Sequence, residues 1–432
     1  MAKPAATETF LVAQLGARMH YAVPRILFQA GRLRRLFTDL DGRSAAFRWL
    51  RLLPKRCVPQ AVTRLMNRYP EHIPQPLATS FNALGLRYAW RRRGIRSRSD
   101  LTGIFLATNR EFCRRVCRCN WEDARAVYTF NAAGLEILEK ARRCGLRTVC
   151  EQTIAPYAFE RRILEEECAL HPGWETAGQD RFAQEYIDRE RAEWALSDLI
   201  LCASEFVRAA IGECGGPVER CRVVPYGVDR AGGSVEVPSL LPAPPAPLPQ
   251  AGEGMHRSSR EPLQVLTVGT VSLRKGAPYV LGAATRLRGK AVFRMVGSSL
   301  LSSYGERQLQ GAVELAGPVP RSVVAQHYAW ADVFFLPSVC EGSATATYEA
   351  IANGIPVLCT PNTGSVIEDG RQGFVVPLRD EAAIAERLLQ LSEDRSLLAR
   401  LSKQALELSR EFTVQQYANR LLQALSEIQQ VT

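Results

Sequence analysis

No apolar run in this 432-residue sequence reaches the roughly 18 residues that a membrane-spanning helix needs. The opening stretch, MAKPAATETFLVAQLGARMHY, has one early lysine. Its apolar core is too short for a secretory signal, and it shows no clear small-residue cleavage site. The expected location is the cytoplasm. The twelve cysteines are scattered. Several, among them Cys150, Cys202, Cys340 and Cys359, lie in apolar contexts and read as small buried hydrophobes of a reducing compartment. Cys113, Cys117 and Cys119 fall close together in CRRVCRC, which raises a metal site as an option. Their spacing matches no common zinc pattern, and no histidine is nearby. No residue stands out as a covalent nucleophile, and no internal repeat is visible beyond two similar α/β halves.

What is present is ordinary globular protein with an uneven charge. Apolar content of 46% and charged content of 23% suit a soluble chain long enough for two or three domains. Residues 1–150 hold 28 Lys and Arg against 10 Asp and Glu, whereas the whole chain is only +11, so the remainder is net negative. The excess peaks over Arg87–Arg118, where Tyr88, Trp90, Ile104 and Phe105 interleave the arginines. An anionic membrane surface, nucleic acid and a plain solvated face all fit such a stretch.

Strands and helices alternate, which predicts parallel sheets. In the first half, strands are expected at 10–16, 35–38, 126–130, 147–152 and 199–203. Helices are expected at 20–30, 132–144, 158–170, 179–196 and 204–213. Residues 42–120 read as mostly helical, broken at Pro54, Pro70, Pro74 and Pro76. The segment 231–262, with LPAPPAPLPQAGEG, cannot build a core and reads as an extended linker or loop insertion. The second half opens with a strand at 264–269, the loop TVSLRKG and a helix at 277–287. Strands at 291–296 and 333–336, a helix at 321–330, a strand at 374–377 and a last helix near 413–428 follow.

The chain is organised around LPSVCEGSATATYEAIANGIPVLCT, residues 336–360. An apolar strand end leads into a tight loop with Glu341 and Gly342, then a helix from near Ser343 to Gly354, then a second apolar strand after Pro356. Ser343 suits an N-cap and Gly354 a left-handed helix end. Such a helix aims free N–H groups and partial positive charge at the crevice above the sheet, which suits a diphosphate. An ordinary βαβ unit with two solvated acids is the alternative.

The Glu341–Glu349 pair, followed by Ala350, Gly354, Pro356 and Val357, resembles retaining glycosyltransferases of the family 4 type (glycosyl transferases group 1). SDLILCASEFV and CRVVPYGVDR resemble the end of the N-terminal half in the same family. The resemblance implies an α/β GT-B fold, two Rossmann-like domains facing each other across a central cleft. The expected division is residues 1–230 for the acceptor side and 263–411 for the nucleotide-sugar side. A helix over 412–432 then crosses back to the first domain. It implies a nucleoside diphosphate sugar as donor substrate, no further cofactor, and a glycan, lipid-linked or small-molecule acceptor in envelope polysaccharide or glycoconjugate synthesis.

Carried over residue by residue, Glu349 holds the ribose and Glu341 the donor sugar. The N–H groups beside Ser343, at Ala344, Thr345 and Ala346, meet the diphosphate, although the family usually has Gly at position 344. Lys275 supplies cationic charge at the diphosphate loop, with Arg274 the second choice and Thr270 where the family usually has a basic residue. Gly16-Ala17-Arg18 closes over the phosphates. Where relatives often place a histidine near the anomeric carbon, this chain has Glu151 and Gln152. His20 is a candidate substitute, and a capping or packing role is its other reading. The loop is not a Walker A, since the lysine precedes its glycine and no Ser or Thr follows. Asp39-Leu40-Asp41 spells a DxD metal motif but reads as a pair of turn residues, because Lys275 and the helix dipole already supply the charge; no metal is expected. A nucleotide-sugar epimerase, a phosphorylase on the same fold and a basic nucleic-acid-binding protein are the rival readings. Nucleic-acid binding leaves the Lys275–Glu349 constellation without a purpose.

Overall fold

The computed structural model describes residues 8–44, 47, 60–95, 97–121, 123–176, 178–228 and 261–427. The proline-rich segment lies outside these residues except for its last two.

Two parallel sheets form. The first contains β1 (Phe10–Gln14), β2 (Leu33–Thr38), β3 (Ala78–Ser80), β4 (Ala126–Phe130), β5 (Arg147–Gln152), β6 (Leu199–Cys202) and β7 (Cys221–Val223), in the order β3-β2-β1-β4-β5-β6-β7. The second contains β8 (Leu263–Val268), β9 (Ala291–Val296), β10 (Val313–Gly317), β11 (Val333–Leu336), β12 (Val357–Cys359) and β13 (Gly373–Val375), in the order β10-β9-β8-β11-β12-β13. Central strands such as AVYTF, LILC and VFFL are buried along their whole length, as strands covered by helices on both faces must be. Each sheet reverses its winding once, between β1 and β4 and between β8 and β11. Crevices open at such switch points, beyond the carboxyl ends of the strands. The two halves are two Rossmann-like units with the architecture of the GT-B fold.

Strands β4, β5, β9 and β11 lie where the hydrophobic pattern puts them, and the others shift by one to three residues. Four elements escape the pattern, among them the three-residue edge strand β7. β3 is three residues long, too short to show a period, and sits at the sheet edge after a proline-broken stretch. The helix Ser303–Leu309 and β10 were also unexpected. β10 is an edge strand whose Glu314 and Leu315 face solvent, so it lacks the apolar run of its neighbours. The first helix begins at Ala22 rather than His20, because Met19, His20 and Tyr21 take left-handed backbone with φ of 45°, 51° and 60°. Pro24 falls in its first turn, where a missing N–H costs nothing.

The last helix, Val414–Glu427, packs on the first unit. Leu421 and Leu425 enter the core with Phe10, Ile26 and Leu27, and Tyr417 meets Tyr226 edge to face at 5.7 Å. Arg222 pairs with Glu427 at 3.0 Å. The helix Tyr157–Leu170 reaches the other way. Phe159, Ile163 and Leu164, with Trp174 beyond it, share one core cluster with Leu273, Ala277 and Val280 of the second unit. The two units are therefore held face to face by apolar packing on one side of the cleft.

Candidate functional site

Loops leaving β8 and β11 meet at the second switch point. After Gly269 the chain makes a short turn, and Lys275 folds back over that glycine: a Cβ at Gly269 would lie 3.1 Å from Lys275 Cε. The Lys275 ammonium stands 2.8 Å from Glu341 Oε1, and Arg274 Nη1 reaches the same oxygen at 3.1 Å. Lys275 and Glu341 are 8% and 7% exposed. One carboxylate thus shares two cations in a nearly dry pocket. Burial opposes the charge on Arg274, but the Glu341 carboxylate, with the charge of Glu160 and the hydrogen bond to Glu341 added, holds the guanidinium above its ordinary range. Arg274 also donates to the Cys340 carbonyl at 3.2 Å.

The helix after β11 runs Thr345–Ala352, and its N-cap position is Ala344, not Ser343. Ser343 is instead turned into the protein, bonded to Tyr348 (2.7 Å) and to the Gly364 carbonyl (2.9 Å). The buried tyrosine offers it a better-shielded partner than the helix end does. The Ala344 N–H is spoken for by the Thr363 carbonyl at 3.3 Å, so the expectation of three free N–H groups narrows to Thr345 and Ala346 in the first turn. Glu349 sits half-buried on this helix and accepts from the Tyr328 hydroxyl at 2.8 Å. Burial first, then the Glu349 charge, push the Tyr328 phenol well above its usual range, so it remains a donor. Thr270 is half-buried at the start of its loop, with its carbonyl accepting from Ser272 at 3.3 Å.

The first unit closes the other wall. The Glu341 carbonyl accepts from Ala155 N–H at 3.1 Å, and Ser204 donates to the Gly342 carbonyl. Gly342 is required here: a Cβ would lie 2.1 Å from the Thr153 carbonyl oxygen. Leu273 N–H, inside the Lys275 loop, donates to Glu175 Oε1 across the boundary at 2.6 Å. Further out, Glu167 accepts from Tyr279 at 2.9 Å and from Arg379 at 2.6 Å.

Gly16 has φ of +92° and donates its N–H to Asp39 Oδ1 at 2.9 Å, so this aspartate braces the loop after β1. Asp39 also pairs with Arg68, and Asp41 is gripped by Arg43 at 2.8 Å. Both acids are committed within the first unit. Arg18 leans on a buried cluster, donating to Tyr226 (2.6 Å) and the Thr153 carbonyl (3.3 Å), with Glu151 at 3.6 Å. Glu151 accepts from Tyr128 (2.5 Å) and Tyr226 (2.8 Å), which makes it the anchor of Arg18. Gln152 is wholly buried, bonded to Glu190, the Ile154 carbonyl and Trp194, and cannot reach a sugar. His20 neither caps nor packs: it is exposed and contacts Arg321 of the second unit across the cleft. Partial desolvation and the Arg321 charge lower its pKa.

Sequence reasoning placed Arg18 in the phosphate-closing loop but missed its anchor, the Tyr128–Tyr226–Glu151 cluster, and Glu175. Tyr226 lies in VVPYGVDR, a stretch already singled out, but nothing in it showed that its hydroxyl would meet Glu151 of β5 and Arg18 beyond β1. The three cysteines of CRRVCRC each donate to a main-chain carbonyl, of Ala133, Glu136 and Arg115. Among the described residues no three His, Cys, Asp or Glu lie close enough to hold a metal, and no helix is long and apolar enough to cross a membrane.

Comparison with known proteins agrees with this fold. Residues 262–394 match the model of the family described as glycosyl transferases group 1. WcaL of Escherichia coli (strain K12), named as a colanic acid biosynthesis glycosyltransferase, is 31% identical over 53% of this chain and 57% of its own length. AmsK of Erwinia amylovora, an amylovoran biosynthesis glycosyltransferase, is 24% identical over 46% of this chain and 49% of its own. The chain thus spans about half the length of the curated relatives it matches. Among solved structures, sucrose-phosphate synthase from Thermosynechococcus elongatus superposes with a TM-score of 0.65, at 17% identity, over 98% of this chain and 100% of its own. Anabaena HepE, solved with UDP and glucose, gives 0.56 at 14% identity over 97% and 100%. The chain has the GT-B fold, and residues 262–394, most of its second domain, match the family described as glycosyl transferases group 1.

Proposed function

We propose that the protein is a retaining glycosyltransferase, moving a sugar from a nucleoside diphosphate sugar to a hydroxyl of a glycan, lipid-linked or small-molecule acceptor. Its setting is the synthesis of a cell-envelope polysaccharide or glycoconjugate, at the cytoplasmic side of the envelope. The observation that carries this reading is the Lys275–Arg274–Glu341 cluster beside a free helix start, at a sheet's switch point. The names of WcaL and AmsK and the UDP in HepE support it.

Breaking the bond between the anomeric carbon and the phosphate oxygen leaves negative charge on the departing diphosphate. Lys275, Arg274 and the N–H groups of Thr345 and Ala346 are fixed positive ends ready to meet that charge. When donor binds, its phosphates compete with Glu341 for the two cations, which frees this carboxylate to accept from sugar hydroxyls. Glu349, oriented by Tyr328, takes the ribose hydroxyls. Arg18 faces the phosphates from the opposite wall. In the retaining route the acceptor oxygen attacks on the face the phosphate leaves, and its proton passes to the departing phosphate oxygen. A thermal-shift panel of nucleoside diphosphate sugars tests the reading, since a ligand that binds only the folded chain raises its melting temperature. Stabilisation by none of them, in a protein that melts cooperatively, would defeat it.

A further inference from the structure

The stretch Arg87–Arg118 folds into two helices, Asn82–Arg91 and Arg98–Arg118, with a turn between them. Many of its arginines are committed: Arg87 and Arg115 to Glu111, Arg110 to Glu185, Arg98 to Glu160. Phe105 is half-buried and stacks on Tyr186. The turn itself is different. Trp90 is 75% exposed, although Trp174 and Trp194 are buried, and Ile95 stands beside it at 36%. Among the described residues no ion pair engages Arg91, Arg92 or Arg93, all exposed. Trp90, Ile95, Ile104 and Phe182 line an open groove of about 650 Å³ together with Arg91 and Arg93, and its one lining acid, Asp100, is paired with Arg181 at 3.1 Å.

Arg92 lies over the Tyr88 ring at 5.1 Å, which leaves Arg91 and Arg93 as the cations beside the indole. An exposed indole costs free energy in water, and an isolated one is rarely left standing beside exposed cations. The combination suits a bilayer interface, where an indole sits at headgroup depth and guanidinium groups meet lipid phosphates. Nucleic acid would use the cations but offers little to Ile95 and Ile104. The groove also adjoins the cleft. Thr102, one turn into the second helix, donates to Asp180 at 2.6 Å, and Asp180 accepts from Tyr157. Tyr157 opens the helix after the 153–156 loop, whose Ala155 binds the Glu341 carbonyl.

We propose that this groove is the docking surface for an anionic phospholipid bilayer, seating Trp90 at the interface. It rests on the glycosyltransferase reading and narrows it to acceptors presented at a membrane, with the cleft opening towards the lipid surface.

Sedimentation of the full chain with phosphatidylglycerol–phosphatidylcholine vesicles, and with phosphatidylcholine alone, tests this at low salt. The wild-type chain should pellet with the anionic vesicles and stay in solution with the neutral ones. Each arginine removed should lower partition about five-fold, so Arg91→Ala with Arg93→Ala lowers it about 25-fold. Trp90→Ala should weaken binding at high salt, where charge is screened and the apolar contact remains. Wild-type partition in the arginine pair, or no binding of the wild type, overturns the proposal. Release of vesicle-bound protein by a duplex oligonucleotide, with equal loss of both in the variants, overturns it in favour of nucleic acid. A thermal-shift panel of nucleoside diphosphates and their sugars on the same samples reads the donor site separately. Its failure with intact vesicle binding would sink the donor reading and leave this surface standing.

Discussion

Replacing Lys275 by methionine separates chemistry from stability. The side chain is 8% exposed and its ammonium lies 2.8 Å from Glu341. Methionine keeps most of the volume over Gly269, so the cavity cost is small. Orphaning a buried charge costs about 3–5 kcal/mol. Here Arg274 still holds the same carboxylate oxygen at 3.1 Å, so the loss should stay near 1 kcal/mol, a fall of about 2–4 °C in melting temperature for a domain of this size. Transfer should suffer far more. Removing one preorganised donor to developing charge costs about 2.7–4 kcal/mol, or 100- to 1000-fold in rate. Changing Arg274 and Lys275 together leaves Glu341 buried without a cation, and the full 3–5 kcal/mol should then appear. The assay is transfer from the best donor in the thermal-shift panel, with melting curves on each variant. A folded Lys275→Met protein at wild-type rate would refute the argument. So would a stability loss as large as that of the double variant.

Glu349→Ala should weaken donor binding by about 1–3 kcal/mol, since the ribose hydroxyls lose a charged acceptor, while the Tyr328 hydroxyl keeps the Ala346 carbonyl as acceptor; unchanged affinity by calorimetry refutes this. Glu175→Ala removes the acceptor of the Leu273 N–H and should cost uridine diphosphate affinity about ten-fold. Glu175→Gln keeps an acceptor oxygen and should restore it; equal affinities in both variants would show that Glu175 does not set the Lys275 loop. Burial pushes Glu190 from 4.5 up to about 7, against the hydrogen bonds it accepts from Gln152, Tyr157 and Asn131. The folded chain therefore keeps a proton that the unfolded chain has already lost over that interval. Stability from this group is complete below about pH 4.5 and declines as pH rises through about 7, by about 3 kcal/mol at most. Melting curves from pH 5 to 8 should fall more steeply in wild type than in Glu190→Gln, and parallel curves refute the assignment.

Much of the site was legible because its parts are local. Lys275 follows a strand end by a few residues, and Glu341 precedes a helix by a few more, so strand, loop and helix signals fix which edge of the sheet they occupy. Gly354, at φ of +69°, ends its helix as its residue type demands. Ser343 misled because a capping serine and a buried serine look alike in sequence. Only Tyr348, five residues on and wholly buried, decides between them. The DxD pair was read as turn residues, and its partners Arg43 and Arg68 could not be named because they come from a stretch without clear pattern.

The amino-acid order alone determined the alternating strands and helices, the carriers of charge in the second domain and the basic turn around Trp90. Tertiary structure alone decided that Glu151 anchors Arg18, that Glu175 reaches the Lys275 loop, and that His20 meets Arg321. Those contacts join residues separated by roughly 100 to 300 positions. Hydrophobic periodicity reports which face of an element is buried and carries no information about which distant element will cover it. That choice is made when two sheets and their crossing helices pack into one body.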